Sequence, residues 1–435
     1  QAPRNADVTL PPAQLQLSKP GETPGSTVFN ATALVDIPLT GVEPFLAWSI
    51  TWEADQWDES ARFKVIISDS EQPEVPFAIE PDPHATPSPG KFISHLYFAG
   101  KNARKLRLEY TGPQPIGQVS IHFYSPGNTP ETGNPKPKTQ NPKPVPSPRS
   151  SCSCPQPAYL DRDGWCPSGD CPPDPTPSPT NVTHLIIHHS ATANTASDWA
   201  AVVRSFWDWH VNVNGWNDIG YNWLIDPNGV VYEGRGDDIL GAHFCGKNTG
   251  TMGVCVIGTF TDALPAQAAL DKLTDLLAWK TCDVGTDPLG SAFHASSGLN
   301  LHRISGHRDG CATECPGNAF YPTIPGVRAA VQDHIASECS ATAAIDESDP
   351  GGNAVRIFPN PASGEVTVVV ESAWRGPVEA TLFDAFGRPV GGLYFFEKNE
   401  NLISKLIGLP GLTAGVYLLK IRQGGKSGLF RFVKK

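Results

Sequence analysis

The stretch "THLIIHHSAT", Thr183 to Thr192, opens on an apolar run and closes on two adjacent histidines. A continuous Leu-Ile-Ile run of this kind reads as a strand buried on both faces. Side chains alternate along a strand, so His188 and His189 are expected to point to opposite sides of the sheet. One is then a candidate for chemistry and the other for packing or support.

The surrounding sequence alternates strand and helix. "SDWAAVVRSFWDWH" offers Ser197 or Asp198 as N-cap, with Trp199, Val202, Val203, Phe206 and Trp209 at helical spacing. "YNWLIDPNGVVYEG" reads as a hairpin closed by Pro-Asn-Gly, and "MGVCVIGTF" as a second buried strand. "PAQAALDKLTDLLAWK" predicts a helix with Pro265 near its first turn, "LHRIS" a short strand and "IPGVRAAVQDHIAS" a last helix. Residues 151–340 are therefore expected to form an α/β domain, its sheet mixed because of the hairpin and flanked by helices.

The flanks differ in pattern. Over 1–125, short alternating runs such as "FLAWSITWEAD", "ARFKVIISDS" and "GQVSIHFYS" are divided by Pro, Gly and Asp, which predicts a β-sandwich. Its Trp48, Trp52 and Trp57 are read as core rather than as a carbohydrate platform. The Lys-Pro repeats of 126–150 predict an extended spacer reaching roughly 60–80 Å at about 3 Å per residue. A linker at 341–353 precedes 354–435, which reads as a small antiparallel β-sandwich.

The chain is 435 residues long with net charge −11 and no long basic block, which argues against nucleic acid as a partner. No apolar run approaches the roughly 20 residues of a membrane span. It begins at Gln1, and its only methionine is Met252, so a cleaved signal peptide is expected. The ten cysteines of an exported protein should mostly pair, including the four in "CSCPQPAYLDRDGWCPSGDC", whose spacing is not a familiar zinc pattern.

In "SGHRDGCATECPG", His307 and Cys315 lie eight residues apart after a predicted strand. With His188 they could supply two imidazoles and a thiolate to zinc, leaving one tetrahedral position open, as in catalytic sites. The same residues also permit a loop histidine and a disulfide from Cys315 to Cys311, Cys282 or Cys339. Spacing alone leaves both readings open.

Taken in order, "HLIIHHSAT", "WNDIGYNWLIDPNGVVYEGRG", "GAH", "MGVCVIGTF" and "ISGHRDGCATECPGNAFYPTI" resemble segments of the peptidoglycan-recognition-protein and zinc N-acetylmuramoyl-L-alanine amidase family. "RDGW", Arg162 to Trp165, resembles the Arg-x-x-Trp that opens many members, although Cys166 follows where glycine is common. The resemblance implies zinc held by His188, His307 and Cys315, and hydrolysis of the amide between N-acetylmuramic acid and L-alanine of the stem peptide. It implies that Tyr221 helps orient or deprotonate the attacking water and that Thr313 contacts the polarised carbonyl. It places Arg235, His243 and Asn222 along the substrate groove. Asp237, Asp238 and Ile239 follow "GRG" where animal relatives often carry other residues, so the stem-peptide preference is not implied.

The tail, with "FPNPASGEVTV", "LFDAFGRPV", "LTAGVYLLKI" and the basic end "RFVKK", resembles the C-terminal sorting domain of type IX secretion cargo. That implies recognition by the secretion machinery of a Gram-negative bacterium and a secreted or surface-attached protein. The expected whole is a monomeric, exported, zinc-dependent peptidoglycan amidase. The rival class is a recognition module that binds peptidoglycan without cleaving it, although such relatives usually lack the cysteine ligand.

Overall fold

His184–His189 is a strand because its apolar side chains are buried on both faces and both its edges are paired. The computed structural model describes residues 4–18, 28–69, 74–82, 85, 88–130, 152, 154–339, 354–371, 375–384, 388–423 and 426–435. Most of the Pro/Lys-rich spacer, from 131 onward, and the 341–353 linker lie outside the described residues.

The central domain begins with β1 (Tyr159–Leu160) and the single-turn α1 (Arg162–Trp165). There follow β2 (His184–His189), α2 (Trp199–Asp208), the hairpin β3 (Trp223–Ile225) and β4 (Val231–Glu233), and β5 (Thr251–Val256). It ends with α3 (Gln267–Val284), β6 (Ile304–Gly306) and α4 (Ile324–Ser337). The strands form one mixed sheet in the order β1-β4-β3-β5-β2-β6. β2 is parallel to β5 on one side and to β6 on the other, while β3 and β4 pair antiparallel as the Pro-Asn-Gly turn predicts.

"LHRIS" divides between two strands. Leu299–His302 pairs with Ser291–His294 in a separate hairpin, and only Ile304–Gly306 joins the main sheet. The break falls at Arg303, whose N–H donates to the Gly290 carbonyl while its own carbonyl accepts from Leu185. A sequence pattern cannot register such a change of partner.

The described residues between 4 and 125 include two five-stranded sheets, and most of their buried apolar side chains make one cluster. Trp48 and Trp52 lie inside it, and Trp57 packs against it.

One element of the central domain departs from an ordinary surface helix. Asp198 caps α2 through Ala201 N–H, and all ten residues from Trp199 to Asp208 are buried. A helix buried all round has neighbours on every side. Here Phe45, Ala47, Leu96 and Tyr124 of the N-terminal domain share a hydrophobic cluster with Ala201, Phe206 and their neighbours. The polar residues of α2 are satisfied across this junction. Arg204 donates to the carbonyls of Pro126, Gly127 and Trp165, and Asp208 meets Asn5 at 3.0 Å and His122 at 2.7 Å. Burial of each large apolar side chain contributes about 1.5–3 kcal/mol, enough for this cluster to hold the two domains together.

The described residues cluster into two compact units, one drawn from within 1–143, 156–277 and 287–330, the other from within 144–155, 278–286 and 331–435. In the second, a three-stranded and a four-stranded sheet built from 354–434 surround a core that includes Val368, Leu382, Leu419 and Phe432. Cys152–Cys282 and Cys154–Cys339 are disulfides within that unit. No described helix is long and apolar enough to cross a membrane.

Candidate metal centre

The centre sits at the carboxyl ends of parallel strands, where side chains emerge from the sheet into a crevice. His188 is the fifth residue of β2, and hydrogen bonding of β2 on both edges holds its backbone. His307 follows β6 directly and opens a turn braced by Asp309, which accepts from Gly306 N–H at 2.8 Å and from the Tyr321 hydroxyl. The chain then doubles back. Arg308 donates through its backbone N–H and its Nε to the Cys315 carbonyl, which closes the loop and returns Cys315 to His307. Gly317 completes the turn at φ +105°, where a Cβ would lie 2.3 Å from the Phe260 carbonyl oxygen.

As a result, His188, His307 and Cys315 each present a ligand atom within 4.8 Å of the others, and all three are buried. Cys315 Sγ lies 3.8 Å from His188 Nδ1 and accepts from His189 N–H at 3.3 Å. Cys166–Cys171 and Cys245–Cys311 are disulfides in this unit, whereas Cys315 and Cys255 are thiols. The first of these pairs joins the cysteine that follows Trp165 to one five residues further on. The second tethers the loop carrying Cys315 to the loop carrying His243.

A hydrogen-bond chain assigns the tautomer of His188. The Thr251 hydroxyl donates to the Asn248 carbonyl at 2.7 Å, so it accepts from His243 Nε2 at 3.2 Å. His243 Nδ1 then accepts from His188 Nε2 at 3.0 Å, which leaves Nδ1 of His188 as the nitrogen directed to the centre. The His243 ring can lie against β5 because residue 253 is glycine; a Cβ there would come within 2.5 Å of the ring. Thr251 and Asn248 escaped sequence reading, because nothing local to either residue signals the relay.

The two histidines have different partners, as strand alternation predicts. The His188 ring meets Tyr221, His243 and His307, whereas His189, which ends β2 and borders the cleft, turns its Nδ1 to accept from Phe260 N–H and stays outside the ligand group. Tyr221 packs beside His188 with ring centroids 5.4 Å apart. Burial pushes its hydroxyl well above the ordinary tyrosine range, with the neighbouring thiols of Cys255 and Cys315 adding to the effect. Burial likewise pushes the Cys315 thiol up to about 12, opposed by the His189 N–H. Thr313 lines the cleft and accepts from Cys315 N–H at 3.2 Å.

Arg235 and Asn222 are engaged elsewhere. The Arg235 guanidinium donates to the carbonyls of Ile219, Leu240 and Asp218, straps that hold the loop carrying Tyr221. The fully buried Asn222 accepts from Gly253 N–H and donates to the Gly236 and Ile239 carbonyls. Neither is on the cleft wall, whereas His243 is. Arg162 forms a two-oxygen ion pair with Asp218, and Trp165 Nε1 donates to the Glu233 carbonyl, so "RDGW" braces the domain.

Residues 178–318 match the family described as N-acetylmuramoyl-L-alanine amidase, and residues 356–435 match the secretion system C-terminal sorting domain. A peptidoglycan recognition protein of Trichoplusia ni is 37% identical over 146 residues, a match covering 33% of this chain and 73% of that protein. The chain belongs to the peptidoglycan recognition protein and N-acetylmuramoyl-L-alanine amidase family. The human N-acetylmuramoyl-L-alanine amidase is 35% identical over 32% of this chain, and Drosophila melanogaster peptidoglycan-recognition protein LB is 33% identical over the same share. This chain spans only 23% of the former and 57% of the latter. Family membership rests on these sequence matches, since the TM-score to the solved structure of Drosophila PGRP-LB (29% identity, 38% of this chain, 91% of that one) is 0.32. The tail is a type IX sorting domain and marks the protein for secretion or surface attachment.

Two imidazoles and one thiol outside any disulfide, converging and buried, form a donor set that could hold a divalent cation. Burial that favours the neutral thiol is offset when a divalent cation binds the thiolate.

Proposed function

We propose that this protein is an exported, zinc-dependent amidase that hydrolyses the bond between N-acetylmuramic acid and L-alanine of the peptidoglycan stem. The observation that carries the reading is Cys315, kept as a thiol beside His188 and His307 while eight other cysteines are disulfide-bonded. A pure binding module has no need of a buried thiol between two imidazoles.

Zinc held by His188 Nδ1, His307 and Cys315 would supply Lewis acidity and a nucleophilic water at neutral pH. The chain's own groups supply the rest. His243 and Thr251 hold the His188 ring in one tautomer, and His189 N–H holds the Cys315 sulfur. Tyr221, kept neutral by burial, serves as an O–H donor, and Thr313 offers a second hydroxyl on the same wall. Both are proposed to donate to the oxygen of the scissile carbonyl as negative charge develops there. Water adds to the carbonyl carbon, the C–N bond breaks, and L-alanine leaves as the amine with the proton that water gives up. Peptidoglycan is the proposed substrate, the type IX machinery the proposed export partner, and the working form a monomer.

The test is release of muropeptide amino termini from purified sacculi, with and without a chelator. The wild type should release them and the chelated protein should not. Binding to sacculi without any release by zinc-loaded protein would replace the amidase with a recognition module.

A further inference from the structure

The cleft has a second wall, outside the residues that match the amidase family. Glu59, Glu80, Pro81, Asp82 and His95 of the N-terminal domain line the same space of about 590 Å³ as Tyr221, His243 and Cys315. This wall is built in. Asp82 is only 5% exposed, its N–H donates to the Ile93 carbonyl at 2.7 Å, and its carboxylate lies 3.8 Å from His95 Nδ1. The buried junction around α2 fixes the wall relative to the centre.

The chemistry of the wall selects between the two arms of a muropeptide. Three carboxylates accept hydrogen bonds and repel anions. The stem peptide carries free carboxylates, whereas the glycan offers hydroxyl and amide donors and apolar ring faces. The cleft also presents Trp216, half-buried and stacked on His210 at 4.7 Å, as an aromatic face for such a ring. We propose that the N-terminal domain forms the glycan side of the substrate cleft, with Asp82, Glu80 and Glu59 accepting from sugar hydroxyls and with Trp216 beneath a sugar ring. This proposal rests on the reading of the cleft as a muropeptide site. It gives the domain of residues 4–125 a role in choosing substrate rather than in chemistry.

The experiment uses the full-length protein and muropeptides with one stem sequence carrying one, two or four sugars. Affinity is measured in the Cys315→Ser background, and kcat and KM with otherwise wild-type protein. Affinity should rise with glycan length. Asp82→Asn and Glu59→Gln/Glu80→Gln should each cut that gain about three- to tenfold, as expected when a charged hydrogen-bond acceptor is replaced by a neutral one, with the loss falling on KM more than on kcat. Asp82→Glu should recover part of it. Glu59 and Glu80 are exposed, so their variants report on the wall even if Asp82→Asn weakens folding. Affinity independent of glycan length, or a loss equal for all three substrates, overturns the proposal. So does a loss that follows the amine of the stem diamino acid. Glycan-dependent binding with no hydrolysis by the zinc-loaded wild type would instead overturn the amidase reading and leave the wall standing.

Discussion

The two walls of the cleft come from different kinds of sequence. One is made of motif residues, Tyr221, His243, Thr313 and Cys315, backed by His188 and His307 at the ligand group, whose types and order already point to metal chemistry. The other is made of Glu59, Glu80, Asp82 and His95, unremarkable residues that gain meaning only from where the N-terminal domain docks. Bond cleavage demands particular donor atoms at one point, so it leaves a compact signature. Shaping a groove demands only polar groups on a surface held at the right place.

The largest effect should separate the walls outright. Cys315→Ser and His188→Ala are expected to abolish both zinc binding and muropeptide release, read by metal content and by amino-terminus release. Release that survived in both variants would remove the metal centre from the mechanism. His189→Ala should keep zinc, because its ring contacts Phe260 N–H rather than the centre.

Next in size is Tyr221→Phe. It should retain zinc and lower kcat by roughly 10²–10³, the cost of one oxyanion donor. Wild-type kcat in Tyr221→Phe would assign the donor role elsewhere. His243→Ala should leave the ligands intact but weaken zinc binding by about 10–100-fold, as loss of a group that orients a ligand does. Competition with a chelator of known affinity measures it.

The smallest effect concerns the junction that holds the second wall. His122 bonds Asp7 through Nδ1 and Asp208 through Nε2, both as donor when the ring is charged. Burial alone would lower its pKa, but the two carboxylates outweigh burial and raise it above 6.5. The sign follows from linkage: the stabilisation is fully present below about pH 6.5 and is lost as pH rises through the raised value. His122→Gln should cost on the order of 1–3 kcal/mol at acidic pH and progressively less at alkaline pH, measured by denaturant unfolding. A pH-independent cost would show that the ring acts through packing alone.

Much of the central domain was legible. The Pro-Asn-Gly hairpin, the caps and spacing of α2 and the buried strands through His188 and Cys255 all follow local rules. The convergence of His307 and Cys315 was legible as one of two possibilities, because the seven residues between them, with Gly310 among them, are enough for the loop to close on itself. The choice of the thiol over the disulfide needed the partners: Cys311 pairs with Cys245, Cys282 with Cys152, and Cys339 with Cys154. Arg235 and Asn222, expected along the groove, show the limit of carrying roles by position. Their hydrogen bonds are spent on carbonyls and an N–H that only the folded loop brings near. The inequivalence of His188 and His189 was legible from strand alternation, since only the first joins the ligand group while the ring of the second meets Phe260.

The sequence by itself determined the elements and the donor atoms, because strand, helix and ligand preferences are short-range properties of residue type. It also determined the export tail, whose pattern matches the sorting domain. Only the tertiary structure decided which nitrogen of His188 faces the centre, which cysteine stays reduced, and that an N-terminal sheet domain completes the cleft. Those outcomes depend on contacts between residues up to more than a hundred positions apart, such as His122 with Asp7 and Cys315 with His189. No local pattern encodes such contacts, because the chain creates them only when buried surfaces find their partners.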